Sequence, residues 1–141
     1  MAEATRIPAT LLLTVVTRER KVLEVEADEV LIPAAKGYMG ILPGHTPLLA
    51  SLRVGELMYR VGERSHYLVA KFGFAEILPN RVIVLAEDAY ELEHIDVDAA
   101  EREKLDAERE LASLASHDEG FALAQAKLDE SITRIQVAGR R

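Results

Sequence analysis

The strongest constraint on the fold is a change of residue pattern near Asp96. Before it, short apolar or alternating segments are separated by glycine and proline, whereas from Asp98 to Ala138 there is no proline and the only glycine is Gly120. The second region is dominated by alanine, leucine, glutamate, lysine and arginine, which favour helices. We therefore predict two parts, a β-rich domain over residues 1–94 and a helical tail over residues 95–141.

The first part contains short strand-like segments bounded by turn residues. Pro79-Asn80, between two apolar runs, is a hairpin signal. Regular short strands of this kind favour an antiparallel β-sandwich or a barrel. The predicted strands are Leu11–Thr17, Val22–Ala27, Glu29–Pro33, Gly55–Val61, Ser65–Ala70, Phe74–Leu78 and Val82–Ala86.

The tail is predicted to form two antiparallel helices, so the whole chain is α+β by content. Asp96 suits the N-cap of the first helix, and Ser116 with Glu119 fits a capping box for the second. Both apolar stripes are thin and bury modest area. It remains open whether the tail is permanently packed on the sandwich or can detach. The stripes comprise Ala100, Ala107, Leu111 and Leu114, then Phe121, Ala124, Leu128, Ile132 and Ile135.

Composition narrows the functional classes. The chain has 141 residues, no cysteine and a formal net charge of −7. An acidic balance argues against nucleic acid as a partner, because phosphate binding needs a basic surface. The apolar runs are too short to cross a bilayer, and no secretory signal is recognised. If the protein works at a membrane, we expect a partner to hold it there.

No catalytic or metal-binding set emerges from the sequence. The four histidines lack metal-ligand spacing, and neither a GxSxG nor a Walker-type motif occurs. We therefore expect no metal site and no enzymatic activity of its own. His45, in a loop rich in glycine and proline, is the one histidine expected to be functional.

Basic residues follow a pattern on the second helix. Lys127, Arg134 and Arg141 recur every seven residues and so share a face, and Arg140 adds to that end. These cations could complement the helix dipole. They could equally offer a basic stripe to an acidic partner, and neither interpretation excludes the other.

The segment Gly37-Tyr38-Met39-Gly40-Ile41-Leu42-Pro43-Gly44-His45-Thr46-Pro47-Leu48 is the most specific motif. It closely resembles the G-x-x-G-I-L-P-G-H-x-P-L signature of the ATP synthase epsilon subunits, called delta in mitochondria. Phe72-Gly73-Phe74-Ala75-Glu76-Ile77 resembles the family's G-G-F-x-E-V, with Phe72 replacing a glycine. Asn80–Ala86 resembles N-x-V-T-I-L-A, with Ile83 replacing threonine.

The resemblance implies a non-catalytic rotor subunit of the central stalk, coupling rotation of the c-ring to the catalytic head. It implies a two-sheet β-sandwich that binds the gamma subunit and sits on the c-ring. Carried over by position, Tyr38, Gly44 and His45 would form the loop facing that ring. Many relatives have a carboxylate or another polar residue at Tyr38, so an ion pair there is not expected, although its hydroxyl can donate a hydrogen bond.

The resemblance also implies that the tail regulates ATP hydrolysis. In the family, the hairpin either folds on the sandwich or extends along gamma into the alpha and beta subunits, where it blocks rotation. Lys127, Arg134, Arg140 and Arg141 are the residues expected to make the inhibitory contacts to beta and gamma.

An alternative is a nucleotide-sensing module that closes its helices around ATP. Some relatives bind ATP through an I/L-D-x-x-R-A motif. The matching stretch begins Ile95-Asp96, but Ala99 replaces the arginine, so Ile95, Asp96 and Arg134 are expected to bind ATP weakly or not at all. A stalk subunit should expose an apolar or mixed patch on its sandwich, whereas a sensor should have a cation-lined pocket beside its tail. The resemblance places the protein peripherally on the cytoplasmic face of a bacterial plasma membrane, in preference to a chloroplast thylakoid.

Overall fold

The computed structural model describes residues 6–140. Eight strands are followed by a short 3₁₀ turn at Leu92–His94 and two helices. The strands are β1 Leu11–Val16, β2 Lys21–Ala27, β3 Glu29–Ala34, β4 Gly37–Ile41, β5 Leu48–Leu52, β6 Gly55–Val61, β7 Arg64–Leu78 and β8 Arg81–Glu91. The helices are α1 Val97–Ala112 and α2 Phe121–Ala138.

The strands form the predicted β-sandwich, with the neighbour order β2-β1-β8-β7-β5-β3-β4, and β6 pairs with both β3 and β7. The pairing is antiparallel except between β1 and β8, which run parallel. The predicted hairpin at Pro79-Asn80 is confirmed, since Leu78 pairs with Arg81 across it. The fold class predicted from the sequence is therefore confirmed.

Alternation of buried and half-buried residues produces the core. Leu11, Leu13 and Val15 of β1 are fully buried, while the residues between them are only partly covered. Val82 and Val84 of β8 face the same core from the parallel neighbour. Aliphatic side chains from both layers thus fill the interior, as a sandwich requires.

The strands in the structure differ from the predicted ones in three respects. The segments predicted as separate strands on either side of Lys71 belong to one strand, β7, which keeps its register with β8 throughout. The interruption in the pattern marks a local break, where Phe72 and Gly73 have φ angles of 51° and 118°. Two further strands were not predicted: β4 lies within the glycine-rich signature, whose turn residues concealed it, and β5 begins at the last residue of the signature, Leu48.

The tail forms the predicted hairpin of two helices, folded against the sandwich. Asp96 caps α1 as predicted, with its side chain accepting a hydrogen bond from the amide of Ala99 at 3.0 Å. The capping box at Ser116 and Glu119 is wrong, because α2 begins after Gly120, which has a left-handed backbone and supplies no side chain. Asp118 instead closes the connection by accepting from the Ala115 amide.

Helix α2 lies between α1 and strands β6 and β7 of the sandwich, and α1 contacts chiefly α2. Of the apolar stripe predicted for α2, only Ala124 is fully buried. A helix covered on two sides also buries polar positions, here Ser131 and Thr133. Their hydroxyls donate to carbonyls of the preceding turn, at 2.8 and 2.7 Å, so their burial leaves no unpaired hydroxyl.

Candidate functional site

The interface between tail and sandwich has a small apolar centre. Val69 of β7 is buried with Ile95, Val137 and Ala138, and Tyr67, Tyr90, Leu92 and Val97 pack around them. The tail contributes only three buried side chains here, those of Ile95, Val137 and Ala138, so the apolar area is modest. Additional polar contacts therefore contribute to holding the tail on the sandwich.

Glu130 in the middle of α2 makes two of these contacts. Its carboxylate accepts a hydrogen bond from Tyr90 Oη at 3.1 Å and lies 3.0 Å from Lys71 Nζ. Burial, and then the charge of Glu130 with its hydrogen bond, raises the pKa of Tyr90 well above its ordinary value. The tyrosine therefore remains a neutral donor to the carboxylate.

Arg140, after the end of α2, makes the third polar contact. Its Nη2 and Nε donate to Glu56 Oε1 and Oε2 at 3.0 and 3.2 Å, and its guanidinium lies 4.7 Å from the centre of the Tyr67 ring. The hydrogen bonds to Glu56 raise the pKa of Arg140 above its ordinary value. Glu56, Tyr67, Lys71, Tyr90 and Glu130 carried no local sequence signal for this interface.

The basic residues predicted to contact other subunits are distributed over different environments. Arg134 pairs with Glu103 across the hairpin, leaving its side chain 13% exposed. Lys127 is exposed and borders a cleft between the helices together with Glu103, Asp106, Glu110 and Glu130. Arg141 lies outside the described residues.

The residues predicted to face a ring have different hydrogen-bond partners. Gly44, with φ of 88°, donates its amide to the Pro79 carbonyl at the turn between β7 and β8, and the half-buried His45 lies beside it. Tyr38 instead accepts a hydrogen bond from the amide of Glu56, which pairs with Val69. Tyr38 and Gly44 are six residues apart in the chain, so their Cα atoms lie within about 22 Å of each other.

The predicted nucleotide residues have structural roles in the folded tail. Ile95 is buried beneath α2, Asp96 caps α1, and Arg134 is paired with Glu103. The cleft between the helices that contains Lys127 is lined mainly by carboxylates. This environment disfavours a polyphosphate.

A separate surface is apolar and open. Leu49, Phe74 and Leu85 are 67%, 53% and 55% exposed. Phe74 pairs with Leu85 on β8 and with Ser51 on β5, and Leu49 is the second residue before Ser51 on β5. We call these three residues the apolar outer face. A mixed or apolar patch of this kind is typical of a protein-interaction surface.

Two family models match consecutive parts of the chain. Residues 10–92 match the beta-sandwich domain of the ATP synthase delta/epsilon chain, and residues 93–139 match its long alpha-helix domain. The chain belongs to the ATP synthase delta/epsilon family. The family prediction made from the signature is thereby confirmed, and with it the role of a central-stalk subunit of the synthase.

Curated relatives agree over most of their length. An ATP synthase epsilon chain of Syntrophotalea carbinolica is 43% identical over 128 residues, covering 91% of this chain and 93% of its own. One from Anaeromyxobacter dehalogenans is 39% identical over 130 residues, covering 92% and 98%. The delta/epsilon chain described here is thus a subunit of a bacterial-type complex.

A solved structure also matches both parts together. A chain in the Euglena gracilis mitochondrial ATP synthase, described as OSCP/F1/c-ring in rotational state 1, has a TM-score of 0.77 and 25% identity, covering 96% of this chain and 84% of its own. Within residues 6–140, no helix is long and apolar enough to cross a membrane. In the same range, no three His, Asp or Glu side chains form a group suited to a metal ion.

Proposed function

We propose that the apolar outer face docks the chain onto the gamma subunit, while the turn carrying Gly44 and His45 faces the c-ring. The open patch of Leu49, Phe74 and Leu85 is the observation that carries this proposal. It matches the feature expected of a stalk subunit, whereas the cleft containing Lys127 is acidic instead of cation-lined. The solved Euglena relative comes from an assembly of F1 with a c-ring, which supports these partners.

Charged substitutions within the outer face test gamma binding. Phe74→Asp or Leu85→Asp should abolish co-purification with gamma, because a buried unpaired carboxylate costs several kcal/mol. Leu105→Asp is the matched control, since Leu105 is an equally exposed apolar residue on α1. Retained gamma binding by both outer-face variants would contradict the assignment.

The tail, residues 95–141, is proposed to act as a separate regulatory unit that inhibits ATP hydrolysis when it extends toward alpha and beta. Support comes from the small apolar interface and from reliance on polar contacts, which water can replace when the tail lifts. The chain is accordingly proposed to be non-catalytic, and to be held by the complex on the cytoplasmic face of the bacterial membrane.

Lys127 and Arg134 are proposed to contribute to the inhibitory contacts. Together, Lys127→Gln and Arg134→Gln should relieve inhibition severalfold, because exposed pairs contribute roughly 0–1 kcal/mol each. Arg109→Gln is a matched control, since Arg109 pairs only with Asp106 of its own helix among the ion pairs of the described chain. Equal inhibition by the double variant and the wild type would argue against this role.

Nucleotide sensing is the less favoured function. We propose that ATP binds weakly or not at all, because Ala99 supplies no cation and Arg134 is engaged by Glu103. Isothermal calorimetry of the full chain should detect no micromolar binding. A micromolar dissociation constant for ATP would establish the sensing function instead.

A further inference from the structure

Three side chains meet where the end of α2 reaches the sandwich. Arg140 donates hydrogen bonds to both carboxylate oxygens of Glu56 and lies over the Tyr67 ring. Glu56 is only 7% exposed, although it carries a charge. A planar guanidinium is the side chain best suited to bind a carboxylate at two points while stacking on an aromatic ring.

Tyr38 fixes the backbone that carries this carboxylate. Its Oη accepts a hydrogen bond from the amide of Glu56 at 3.2 Å. Gly55 permits the approach, because a Cβ there would lie 3.1 Å from Tyr38 Oη and 2.5 Å from Pro33 Cβ. Tyr38 therefore connects the signature strand β4 to the residue that binds the end of the tail.

The position of Arg140 gives this contact a specific consequence. Arg140 comes directly after Gly139, beyond the last turn of α2, and two residues before it Ala138 covers Val69. When the tail lifts, Glu56 loses its cation and Val69 loses its apolar cover. The same movement thus breaks a charge pair and opens a buried surface, so the pair opposes the movement.

We propose that Glu56, Tyr67 and Arg140 form a C-terminal latch that sets the fraction of molecules with a detached tail, and that Tyr38 is a positioning residue for Glu56. The latch deepens the proposed inhibitory function by naming the contact that opposes it. The latch itself does not depend on that function; only its effect on ATP hydrolysis in the assembled enzyme does. There, weakening the latch favours the extended, inhibitory tail.

The absence of cysteine allows tail detachment to be measured on the full chain. A cysteine replacing Val69 or Val137 is covered in the folded tail and reacts with a thiol reagent when the tail lifts. Val69→Cys on the sandwich reports on substitutions of Arg140, and Val137→Cys on the tail reports on substitutions of Glu56. In each pair the thiol and the substituted charge lie on opposite sides of the interface, so they separate when the tail detaches. Val84→Cys, in the sandwich core, reports global unfolding.

Arg140→Gln and Glu56→Gln should each raise the labelling rate of their reporter about fivefold, without changing that of Val84→Cys. The labelling rate in Arg140→Lys should lie between those of the wild type and Arg140→Gln, since lysine keeps the charge but cannot bind the carboxylate at two points. Arg109→Gln should have no effect. An unchanged rate in Arg140→Gln, or an equal rise in Arg109→Gln, would overturn the latch. If Arg140→Gln also accelerates Val84→Cys labelling, the substitution unfolds the sandwich, and the labelling rate of Arg140→Lys then tests the latch in its place.

Tyr38→Phe separates positioning from general packing. It should raise Val69→Cys labelling when Arg140 is intact, yet have no effect on Val69→Cys labelling when Arg140 is already glutamine. A rise of the same size in both backgrounds would overturn the role of Tyr38. Labelling is measured without the synthase, so the latch and the inhibitory function are tested separately. The latch can be supported even if the tail does not inhibit hydrolysis, and it can be refuted while inhibition is retained.

Discussion

Lys71 and Glu130 join the sandwich to the middle of the tail, with Lys71 Nζ 3.0 Å from Glu130 Oε2. Lys71 immediately precedes the break in β7 at Phe72, and the other oxygen of Glu130 accepts from Tyr90 on β8. One carboxylate on α2 therefore engages two neighbouring strands. This contact and the latch at Arg140 hold the tail at two points that are ten residues apart in the chain.

Glu130→Ala should lower the free energy of unfolding by about 1–3 kcal/mol, because it leaves Lys71 and the Tyr90 hydroxyl without their acceptor. Denaturant unfolding followed by circular dichroism measures the change. Glu101→Ala, at an exposed position of α1, should be nearly neutral. Equal stability of the two variants would contradict a stabilising role for Glu130.

Stability should fall as the pH rises above 10. The pKa of Tyr90 is raised in the folded protein from an ordinary value of 10.0, mainly by burial and then by Glu130. The folded state therefore retains this proton more strongly than the unfolded chain, and the associated stability is complete below pH 10 and lost progressively above it. The free energy of unfolding should decline less between pH 9 and pH 11 in Tyr90→Phe than in the wild type.

Tyr59 provides a comparison for that experiment. Burial, followed by the charges of Glu91 and Glu93, raises its pKa as well. Tyr90→Phe should therefore remove only part of the alkaline decline, and Tyr59→Phe should remove another part. An undiminished decline in Tyr90→Phe would show that the proton on Tyr90 is not linked to folding.

Gly73→Ala should destabilise the sandwich by more than about 2 kcal/mol. A Cβ at this position would lie 2.0 Å from the Leu85 carbonyl oxygen, and the φ of 118° is strained for any other residue. Gly40→Ala meets no atom within 4 Å and should change stability by less than about 1 kcal/mol. Thermal unfolding compares them, and a tolerated alanine at position 73 would contradict the close approach of β7 and β8.

Asp96→Ala should cost about 1 kcal/mol, because it removes the N-cap bond to the Ala99 amide. Asp106→Ala removes an exposed contact with Arg109 within the same helix and should have little effect. Circular dichroism during urea unfolding measures both. Equal losses would mean that the capping bond contributes nothing beyond an exposed charge.

Local signals predicted much of the fold. Pro79-Asn80 specified a hairpin, Asp96 specified a helix start, and the lack of proline after it specified the tail. The prediction failed where a residue's role depends on its partners. Glycine at Gly37 and Gly40 indicated turns although both lie in β4, and Ser116 fitted a capping box that the connection does not form.

The candidate site was less predictable, because its contacts join distant parts of the chain. Glu56 and Arg140 are separated by 84 positions, and neither residue's neighbours indicate the pairing. Tyr38 was assigned to the ring-facing loop by its position in the signature, and nothing in the sequence indicated that its hydroxyl accepts a hydrogen bond from the Glu56 amide. The signature identified the family, whereas tertiary contacts determine which of its residues support the tail.

The inhibitory role of the tail is tested most directly by the rate of ATP hydrolysis by synthase reconstituted with the full chain or with a chain ending at Asp96. Both versions retain the apolar outer face, so both should assemble with gamma. We predict faster hydrolysis with the shortened chain, because no tail can extend and block rotation. The same rate from both fully assembled enzymes would contradict an inhibitory tail.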